Sequence, residues 1–123
     1  MKVFVYGTLM QGYSNHRLVR PYLTEIKAAK TQGLLYNLGS FPGMKRGDGK
    51  VKGELIIIDQ NYQQEVLERL DILEGHPDFY HREKVEVEEL ETGQQHLAWT
   101  YIYNSDNLDK YHLITSGDWK EVN

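Results

Sequence analysis

The sequence contains no cysteine, and this absence alone excludes several kinds of chemistry. Without cysteine the chain has no disulfide, no thiolate nucleophile and no cysteine-ligated metal site, so packing alone must stabilise it. This composition suits the reducing cytoplasm, which is the expected location. Before Gly7 the N-terminus is apolar for only a few residues, far short of a signal-peptide core or of the roughly 20 residues that span a bilayer. We therefore expect a soluble, unexported protein with no membrane partner.

Positive charge is also scarce. The 14 lysines and arginines are outnumbered by 18 aspartates and glutamates, which leaves a formal net charge of −4. The chain has no run of basic residues with interleaved aromatics, so a phosphate backbone would meet no attractive field. Nucleic acid is therefore not expected as a partner.

Signatures of bound metals and cofactors are missing as well. The histidines have no spacing that would place two of them on one helical face toward a metal; they are His16, His76, His81, His96 and His112. There is no phosphate-binding loop, no dinucleotide fingerprint and no serine in a nucleophile-elbow sequence. Gly47-Asp48-Gly49 is interpreted as a hairpin turn. We expect neither a metal nor a cofactor.

What the sequence does contain is typical of an ordinary globular domain. Its 123 residues, 40% apolar and 26% charged, suffice for one core and are too few for two, which predicts a single domain over residues 1–123. Short β-rich or alternating segments predict strands at 2–6, 28–36, 51–59, 83–90 and 97–103. The segment 37–49 is dense in turn-forming residues and should contain only brief regular structure.

One substantial helix is predicted after Asp59 or Asn61, either of which can cap it. An apolar stripe on an otherwise charged segment indicates its buried face: Val66, Leu67, Leu70 and Leu73. Gly75 and Pro77 should end this helix, and a shorter helix is expected within 16–23. About six strands, one main helix and short flanking helices predict an α+β fold built on a small mixed β-barrel.

Glu74 is the first candidate for chemistry because it falls on the apolar stripe. It lies four residues after Leu70 and seven after Leu67, where a charged side chain is not expected. Burial and the negative end of the helix dipole both disfavour its charged form, so its pKa should rise toward the range of a general base. The alternative is that Glu74 lies at a frayed helix end and bends into solvent.

The second candidate is the loop after the first strand, Tyr6-Gly7-Thr8-Leu9. A glycine there permits close backbone approach, and successive N–H groups that point into a cavity would bind an anion or oxyanion. A plain turn with an ordinary glycine would have the same sequence. His16, further along the chain, is interpreted as a packing or surface histidine rather than a catalyst.

Four motifs in combination resemble the γ-glutamylcyclotransferase-like (AIG2-like) superfamily, in particular its small bacterial branch related to γ-glutamylamine cyclotransferases. They are Val5-Tyr6-Gly7-Thr8-Leu9 with Gly12 and Asn15-His16; Gly53-Glu54-Leu55; Leu70-Asp71-Ile72-Leu73-Glu74-Gly75; and Tyr80-His81-Arg82. The ending Ser116-Gly117-Asp118-Trp119 is also similar to that of bacterial members. The motifs extend over most of the chain, and their combination is specific although no single motif is.

The resemblance implies a small mixed barrel whose cavity opens beside the Tyr6–Leu9 loop, with Glu74 as the essential acid/base. It implies a small-molecule substrate, a γ-glutamyl amine or amino acid, whose free α-amino group attacks its own γ-carbonyl. The products would be 5-oxoproline and the free amine, and the reaction would need no metal or cofactor. The loop Tyr6-Gly7-Thr8-Leu9 would be the substrate cradle, and the backbone N–H groups of Gly7, Thr8 and Leu9 would hold the α-carboxylate or the developing oxyanion.

Two further residues are implied at the mouth of this cavity. Tyr80 and Arg82 would line it, although Arg82 is equally a candidate structural partner for a nearby carboxylate. Selectivity for the departing amine would depend on loops such as Phe41-Pro42-Gly43 and the stretch around Pro77.

Other functions stay open at this point. The chain would also suit a binding protein that keeps the cavity without turnover, although an intact Glu74 argues against a decayed site. Nine tyrosines would suit an interaction protein with a tyrosine-rich surface, and the same site would suit an enzyme with another acyl-transfer substrate. The sequence makes no prediction of oligomeric state.

Overall fold

A five-stranded barrel forms the body of the protein. The computed structural model describes residues 1–108 and 112–122; the rest of the predicted domain 1–123 lies outside the described residues. The strands are β1 (Lys2–Val5), β2 (Leu23–Asn37), β3 (Pro42–Ile58), β4 (Tyr80–Glu89) and β5 (Gln95–Tyr103). They close in the spatial order β1-β3-β2-β4-β5, and one helix, α1 (Gln63–Glu74), connects β3 to β4. The predicted α+β barrel is confirmed, with five strands rather than about six.

β1 closes the barrel. It pairs antiparallel with β3 along its whole length, and it pairs in parallel with β5 through Val3 and Trp99. On β3, the consecutive residues Leu55 and Ile56 point to opposite faces of the sheet, and both are completely buried. This agrees with the sequence prediction that the most apolar segment of the chain is a strand covered on both faces.

β3 also contains the main departure from the sequence prediction. It runs through most of the segment in which the density of glycines predicts turns. Its pairing with β2 shifts register between Gln32 and Leu34, and residues 46–49 form a bulge there. A Cβ on Gly47 would lie 2.5 Å from Leu34 Cγ, so the bulge depends on glycine at this position. Gly47-Asp48-Gly49 is thus a strand bulge, and its interpretation as a hairpin turn is wrong.

The tight turn between β2 and β3 lies at residues 38–41. The Leu38 N–H donates a 3.0 Å hydrogen bond to the Phe41 carbonyl, and Asn37 Oδ1 accepts one of 2.8 Å from the Gly39 N–H. Gly39 has a φ of 111°, a conformation that favours glycine. This turn brings Ser40 and Phe41 to the end of the barrel at which β1 stops.

α1 packs one face on the barrel and leaves the other in solvent. Val66 and Leu70 are completely buried, whereas Leu73 is partly exposed. The helix ends at Gly75, which adopts the left-handed conformation with a φ of 63°, as the sequence predicts. At the other end of the helix the N-cap residue is Tyr62, which makes no side-chain capping hydrogen bond. The prediction that Asp59 or Asn61 caps this helix is therefore wrong.

Before β2, the structure has two short 3-10 helices, Ser14–Leu18 and Arg20–Tyr22, where the sequence predicts a single short helix.

The segment after β5 returns to the barrel. The Gly117 carbonyl accepts a 2.8 Å hydrogen bond from the Lys52 N–H of β3, and Trp119 is buried. A Cβ on Gly117 would lie 1.9 Å from the Lys50 carbonyl oxygen, so this approach requires glycine. Across residues 1–108 and 112–122 we find no helix with the length and apolar character needed to cross a membrane.

Candidate active site

A cavity of about 350 Å³ lies beside the end of β1. All but one of the site residues predicted from the sequence line it: Tyr6, Gly7, Thr8, Leu9, Glu74 and Tyr80. The exception is Arg82, which lies outside the lining. Further lining residues come from the β2–β3 turn, from the segment after α1 and from β5; those used below are Ser40, Phe41, Pro42, Leu73, Phe79 and Tyr101.

Glu74 is the last residue of α1, and it lines the cavity rather than pointing away from the barrel. Burial raises the pKa of its carboxyl group from 4.5 to about 7. Burial is the cause of this rise in pKa. Within residues 1–108 and 112–122, no cation or hydrogen-bond donor lowers the pKa again. An acid with this pKa is present in both protonation states at neutral pH, so it can accept a proton and return it.

The phenols of Tyr6 and Tyr80 are engaged by the backbone. Tyr6 Oη donates a 2.7 Å hydrogen bond to the Tyr101 carbonyl and accepts one of 3.2 Å from the Met44 N–H. Tyr80 Oη donates a 2.8 Å hydrogen bond to the Pro42 carbonyl. Burial raises the pKa of both phenols, and the nearby carboxylate of α1 adds to the effect. Both side chains therefore stay protonated at neutral pH and hold the walls of the cavity together.

Arg82 belongs to a network behind the cavity. Its guanidinium donates two hydrogen bonds to the carboxylate of Asp71, from Nε to Oδ1 at 2.7 Å and from Nη2 to Oδ2 at 3.2 Å. The same guanidinium lies over the Trp99 ring, 4.9 Å from its centroid. Tyr101 Oη also donates a 2.7 Å hydrogen bond to Asp71 Oδ1. Of the two roles that the sequence leaves open for Arg82, this geometry corresponds to the structural partner of a carboxylate.

The loop Tyr6–Leu9 is held by two side chains that follow it. Asn15 Nδ2 donates a 2.9 Å hydrogen bond to Thr8 Oγ1, and the Leu9 carbonyl accepts one of 2.9 Å from Nδ1 of the buried His16. Within the described residues 1–108 and 112–122, the backbone N–H groups of Gly7, Thr8 and Leu9 have no hydrogen-bond acceptor. Such N–H groups beside a cavity can bind an anionic group of a ligand.

Gly7 allows the β2–β3 turn to approach this loop. A Cβ on Gly7 would lie 2.7 Å from Pro42 Cγ and 2.8 Å from its Cδ, which is closer than van der Waals contact. The Pro42 carbonyl also accepts the hydrogen bond from Tyr80. The glycine, the proline and the tyrosine therefore form one wall, built from three separate parts of the chain.

Glu54 secures the far end of the loop. Its buried carboxylate accepts a 2.9 Å hydrogen bond at Oε1 from the Gln11 N–H, and Lys120 Nζ lies 3.5 Å from Oε2. Gly53 beside it admits the backbone of β1, since a Cβ there would lie 2.2 Å from the Val5 carbonyl oxygen. The Gly53-Glu54-Leu55 motif thus couples the loop to the C-terminal segment.

Sequence reasoning did not single out Phe41 and Phe79 as a pair of rings beside the cavity. Phe41 and Phe79 face each other edge to face, with ring centroids 6.4 Å apart, although they are distant in sequence. Phe79 also packs against Tyr80 and Tyr103 at 5.4 and 5.5 Å. The only sequence signal was that both phenylalanines lie in the loops expected to govern selectivity.

No group of three or more His, Asp or Glu side chains in the described part of the chain is arranged to hold a metal ion.

Comparison with known proteins shows the family to which the chain is similar. The family model described as "Gamma-glutamyl cyclotransferase, AIG2-like" matches residues 3–121. A protein of Vibrio cholerae, provisionally named a gamma-glutamylcyclotransferase, is 39% identical over 118 residues, which cover 95% of this chain and 93% of that protein. The gamma-L-glutamyl-butirosin B gamma-glutamyl cyclotransferase of Niallia circulans is 33% identical, over 97% of this chain and 75% of its own.

A solved structure has the same architecture. The crystal structure of an AIG2-like protein from Mus musculus superposes with a TM-score of 0.73 and covers 96% of this chain and 86% of the mouse chain. At 22% sequence identity this likeness concerns the fold alone.

Proposed function

The chain belongs to the γ-glutamyl cyclotransferase, AIG2-like family, and we propose that it cyclises the γ-glutamyl group of a small γ-glutamyl amide to 5-oxoproline, with Glu74 as general acid/base. The observation that carries the proposal is the carboxyl group of Glu74, with its pKa near 7, in a cavity that it shares with the N–H groups of a loop; neither has a hydrogen-bond partner among the described residues. This combination offers a proton acceptor and an anion cradle within one small enclosure.

In the first step the Glu74 carboxylate accepts a proton from the substrate α-ammonium, which frees the nitrogen lone pair. The nitrogen attacks the γ-carbonyl carbon, so a C–N bond forms and closes the five-membered ring. The carbonyl electron pair moves to oxygen as the tetrahedral intermediate forms. Collapse of this intermediate breaks the original amide C–N bond. Because the reaction is intramolecular, the protein mainly has to hold the substrate folded.

The protons balance through the same carboxyl group. One of the three ammonium protons stays on the nitrogen of the 5-oxoproline ring. The other two end on the departing amine, which leaves as an ammonium ion, and Glu74 returns to its carboxylate form. A single group with a pKa near 7 can serve both transfers, because it is neither too weak to accept a proton nor too weak an acid to return it.

The Tyr6–Leu9 loop binds the glutamyl unit in this proposal. The N–H groups of Gly7, Thr8 and Leu9 hold the α-carboxylate or the oxyanion that develops on the γ-carbonyl. Tyr6 and Tyr80 contribute walls of fixed shape, since their hydroxyls are already bonded to backbone groups. Arg82 acts from outside the cavity as a positioning residue, through its ion pair with Asp71.

A test compares the wild type with Glu74→Gln on a panel of γ-glutamyl amines and amino acids, with chromatographic assay of 5-oxoproline. We expect turnover by the wild type and a loss of about 10²- to 10⁴-fold in kcat for Glu74→Gln, the usual contribution of general acid–base catalysis. Glu68→Gln is the matched control, because Glu68 is exposed on the same helix and lies outside the cavity.

Circular dichroism of both variants verifies that the fold is kept. Turnover that survives in Glu74→Gln would remove the assigned base. If the wild type released 5-oxoproline from none of the conjugates, the proposed reaction would be wrong.

A further inference from the structure

The segment between α1 and β4 leads into part of the cavity lining. Phe79 and Tyr80 both line the cavity, and their ring centroids lie 5.4 Å apart. Together these two residues form the aromatic wall of the cavity. Residues 75–79 belong to neither the helix nor the strand, so hydrogen bonds from other parts of the chain must fix where the aromatic wall lies.

Asn104, the first residue after β5, binds three consecutive carbonyl groups of this segment. Its side-chain Nδ2 donates to the Pro77 carbonyl at 2.7 Å and to the Asp78 carbonyl at 2.8 Å, and its backbone N–H donates to the Phe79 carbonyl at 3.1 Å. A carbonyl group can only accept a hydrogen bond, so the amide atom beside the first two carbonyls must be the nitrogen. The amide oxygen Oδ1 therefore faces the other way, toward His81.

Both ring nitrogens of His81 face hydrogen-bond acceptors. Nδ1 is hydrogen-bonded to Asn104 Oδ1, and Nε2 is hydrogen-bonded to Glu83 Oε2. An amide oxygen and an ionised carboxylate can only accept, so each contact needs a proton on the ring nitrogen. A neutral imidazole has one N–H and would satisfy one contact, whereas the protonated ring satisfies both. The geometry corresponds to the imidazolium form of the ring.

The charges around the ring agree with this form. The hydrogen bonds to the amide oxygen and to Glu83, in that order, raise the pKa of His81 above its ordinary 6.5. Within the described residues, Glu83 on β4 also attracts the cation through its charge, whereas Lys45 on β3 opposes it. Each of these two charges has a partner of its own, since Glu83 pairs with Arg46 and Lys45 pairs with Asp106.

We propose that His81 is a positioning residue for the proposed reaction, because its imidazolium form fixes the amide of Asn104 and thereby holds the aromatic wall in place. The inference rests on the proposed function, since the wall acts on turnover only if a substrate binds beside it. Tyr80 and Arg82 flank this histidine, one in the cavity lining and the other bound to Asp71. The proposal thus gives a role to the middle residue of the Tyr80-His81-Arg82 motif.

Loss of the ring proton should release the wall. A carboxylate is the stronger hydrogen-bond acceptor, so the one N–H of the neutral ring should stay with Glu83. The lone pair of Nδ1 would then face Oδ1 of Asn104, and the two would repel each other. The amide would lose its fixed orientation, and with it the side-chain hydrogen bonds to the carbonyls of Pro77 and Asp78.

Two substitutions of His81 separate the two contacts of its ring. His81→Asn keeps an N–H donor near the place of Nδ1, whereas His81→Gln keeps one near the place of Nε2 and loses the contact with Asn104. On the best γ-glutamyl substrate of the panel, we expect kcat/KM to fall about tenfold in His81→Gln, because a small displacement of a positioning group is costly. In His81→Asn it should fall less than about threefold.

His96→Gln is the matched control. His96 is also paired through Nε2 with a glutamate, Glu89, but it lies outside the cavity lining. The substitution should leave kcat/KM unchanged. Circular dichroism and urea unfolding of all variants separate a change in the site from a loss of the fold.

A double variant tests whether His81 acts through Asn104. Asn104→Ala removes the side-chain hydrogen bonds to Pro77 and Asp78, so adding His81→Gln to it should change kcat/KM by less than about twofold. Amide hydrogen exchange provides a measurement that is independent of turnover. The Phe79 N–H, which donates to the Gly75 carbonyl at 2.9 Å, should exchange at least about threefold faster in His81→Gln than in the wild type.

The pH dependence isolates the charge on the ring. Because Glu74 titrates in the wild type and in His81→Asn alike, the ratio of their kcat/KM values cancels its contribution. The hydrogen bonds of the imidazolium are fully present below pH 6.5 and are lost as the pH rises through the raised pKa of His81. The ratio of the wild type to His81→Asn should therefore be constant at low pH and fall over that range.

Unchanged kcat/KM in His81→Gln would overturn this inference while the proposed function stood. The same holds if the effects of His81→Gln and Asn104→Ala were additive, if Phe79 exchanged at the wild-type rate in His81→Gln, or if the ratio of the wild type to His81→Asn did not change with pH. If the wild type released 5-oxoproline from no conjugate of the panel, both proposals would be wrong.

Discussion

Tyr101 donates a 2.7 Å hydrogen bond to Asp71, which lies about one helical turn before Glu74. Arg82 binds the same carboxylate through two nitrogens. Strands β4 and β5 thus hold the last turn of α1 jointly. The carboxyl group that faces the cavity is therefore held in place by contacts of Asp71, which lies three residues earlier on a neighbouring part of the same helix surface.

Asp71→Asn should weaken this attachment. The substitution keeps the shape of the side chain but removes the charge that Arg82 pairs with, and we expect a loss of roughly 1 to 3 kcal/mol in the free energy of unfolding. Because α1 would hold Glu74 less firmly, kcat should fall more than KM rises. Urea unfolding and steady-state kinetics measure the two effects.

Glu88→Gln is the comparison for Asp71→Asn, since Glu88 pairs with Lys30 on a more exposed surface. It should change stability by less than about 1 kcal/mol and leave kcat unchanged.

Acid should remove the difference in the free energy of unfolding between Asp71→Asn and the wild type. Burial alone would raise the pKa of Asp71, but its hydrogen bonds from Arg82 and Tyr101 lower it below 3.8. The stability from this group is thus present above pH 3.8 and is lost as the pH falls through the lowered pKa. A difference that persisted in full at pH 2 would argue against the ion pair.

The rate of 5-oxoproline formation should rise with pH through the pKa of Glu74. At low pH the group is protonated and cannot accept the substrate proton, so kcat/KM should increase with an apparent midpoint of about 7. Kinetics between pH 5 and 9 on the best γ-glutamyl substrate of the panel would show it. A profile that was flat from pH 5 to 8 would mean that Glu74 is not the titrating base.

Glu74→Gln should make the protein more stable at alkaline pH. Burial raises the pKa of Glu74 from 4.5 to about 7, so the folded state binds its proton more tightly than the unfolded state does. The wild type therefore loses stability as the pH rises from 4.5 to 7, and above 7 it should lie about 1 to 3 kcal/mol below Glu74→Gln. Thermal or urea unfolding at pH 4 and at pH 8 compares them, and Glu68→Gln should follow the wild-type curve at both. If the free energy of unfolding of Glu74→Gln depended on pH in the same way as that of the wild type, burial would not raise the pKa of Glu74.

Gly7→Ala should damage activity more than stability. The new Cβ would lie 2.7 Å from Pro42 Cγ, so the loop and the β2–β3 turn must move apart. We expect kcat/KM to fall at least tenfold and the free energy of unfolding to fall by roughly 1 to 3 kcal/mol, the usual cost of overpacking.

Gly93→Ala separates this effect from the cost of replacing a glycine. Gly93 has a φ of 74° with nothing within 4 Å of the added Cβ, in the turn between β4 and β5. Alanine there should cost about 1 kcal/mol through backbone strain and leave kcat/KM intact. If the two variants lost activity equally, contact between Gly7 and Pro42 would not control the site.

Several parts of the site could be predicted because they depend on local sequence. Glu74 stands out from the apolar stripe of a single helix, and the helix period by itself places it on the inner face. The strand before Gly7 and the left-handed end of the helix at Gly75 are likewise set by neighbouring residues. Such features require no knowledge of which strands pair.

The rest depends on register between distant segments. Pro42 meets Gly7 only because the β2–β3 turn lies at 38–41, and the dense glycines of 47–49 favour the wrong position for that turn. These glycines accommodate a bulge, which packing against Leu34 selects and which propensity alone does not reveal. Asp71 belongs to a motif that the sequence shows, but its role could not be predicted, because nothing in the local sequence indicates its partners Arg82 on β4 and Tyr101 on β5.

The parallel pairing of β1 with β5 has a consequence for how the protein is made. β1 is the first of the five strands, yet it pairs with β5 through Val3 and Trp99, which are separated by most of the sequence. Contacts of such long range form late, since the entropy of closing the loop between them must be overcome first. The cavity-lining segment 4–9 is synthesised before the other residues of the lining, and it is held in a complete barrel only after β5 has been synthesised.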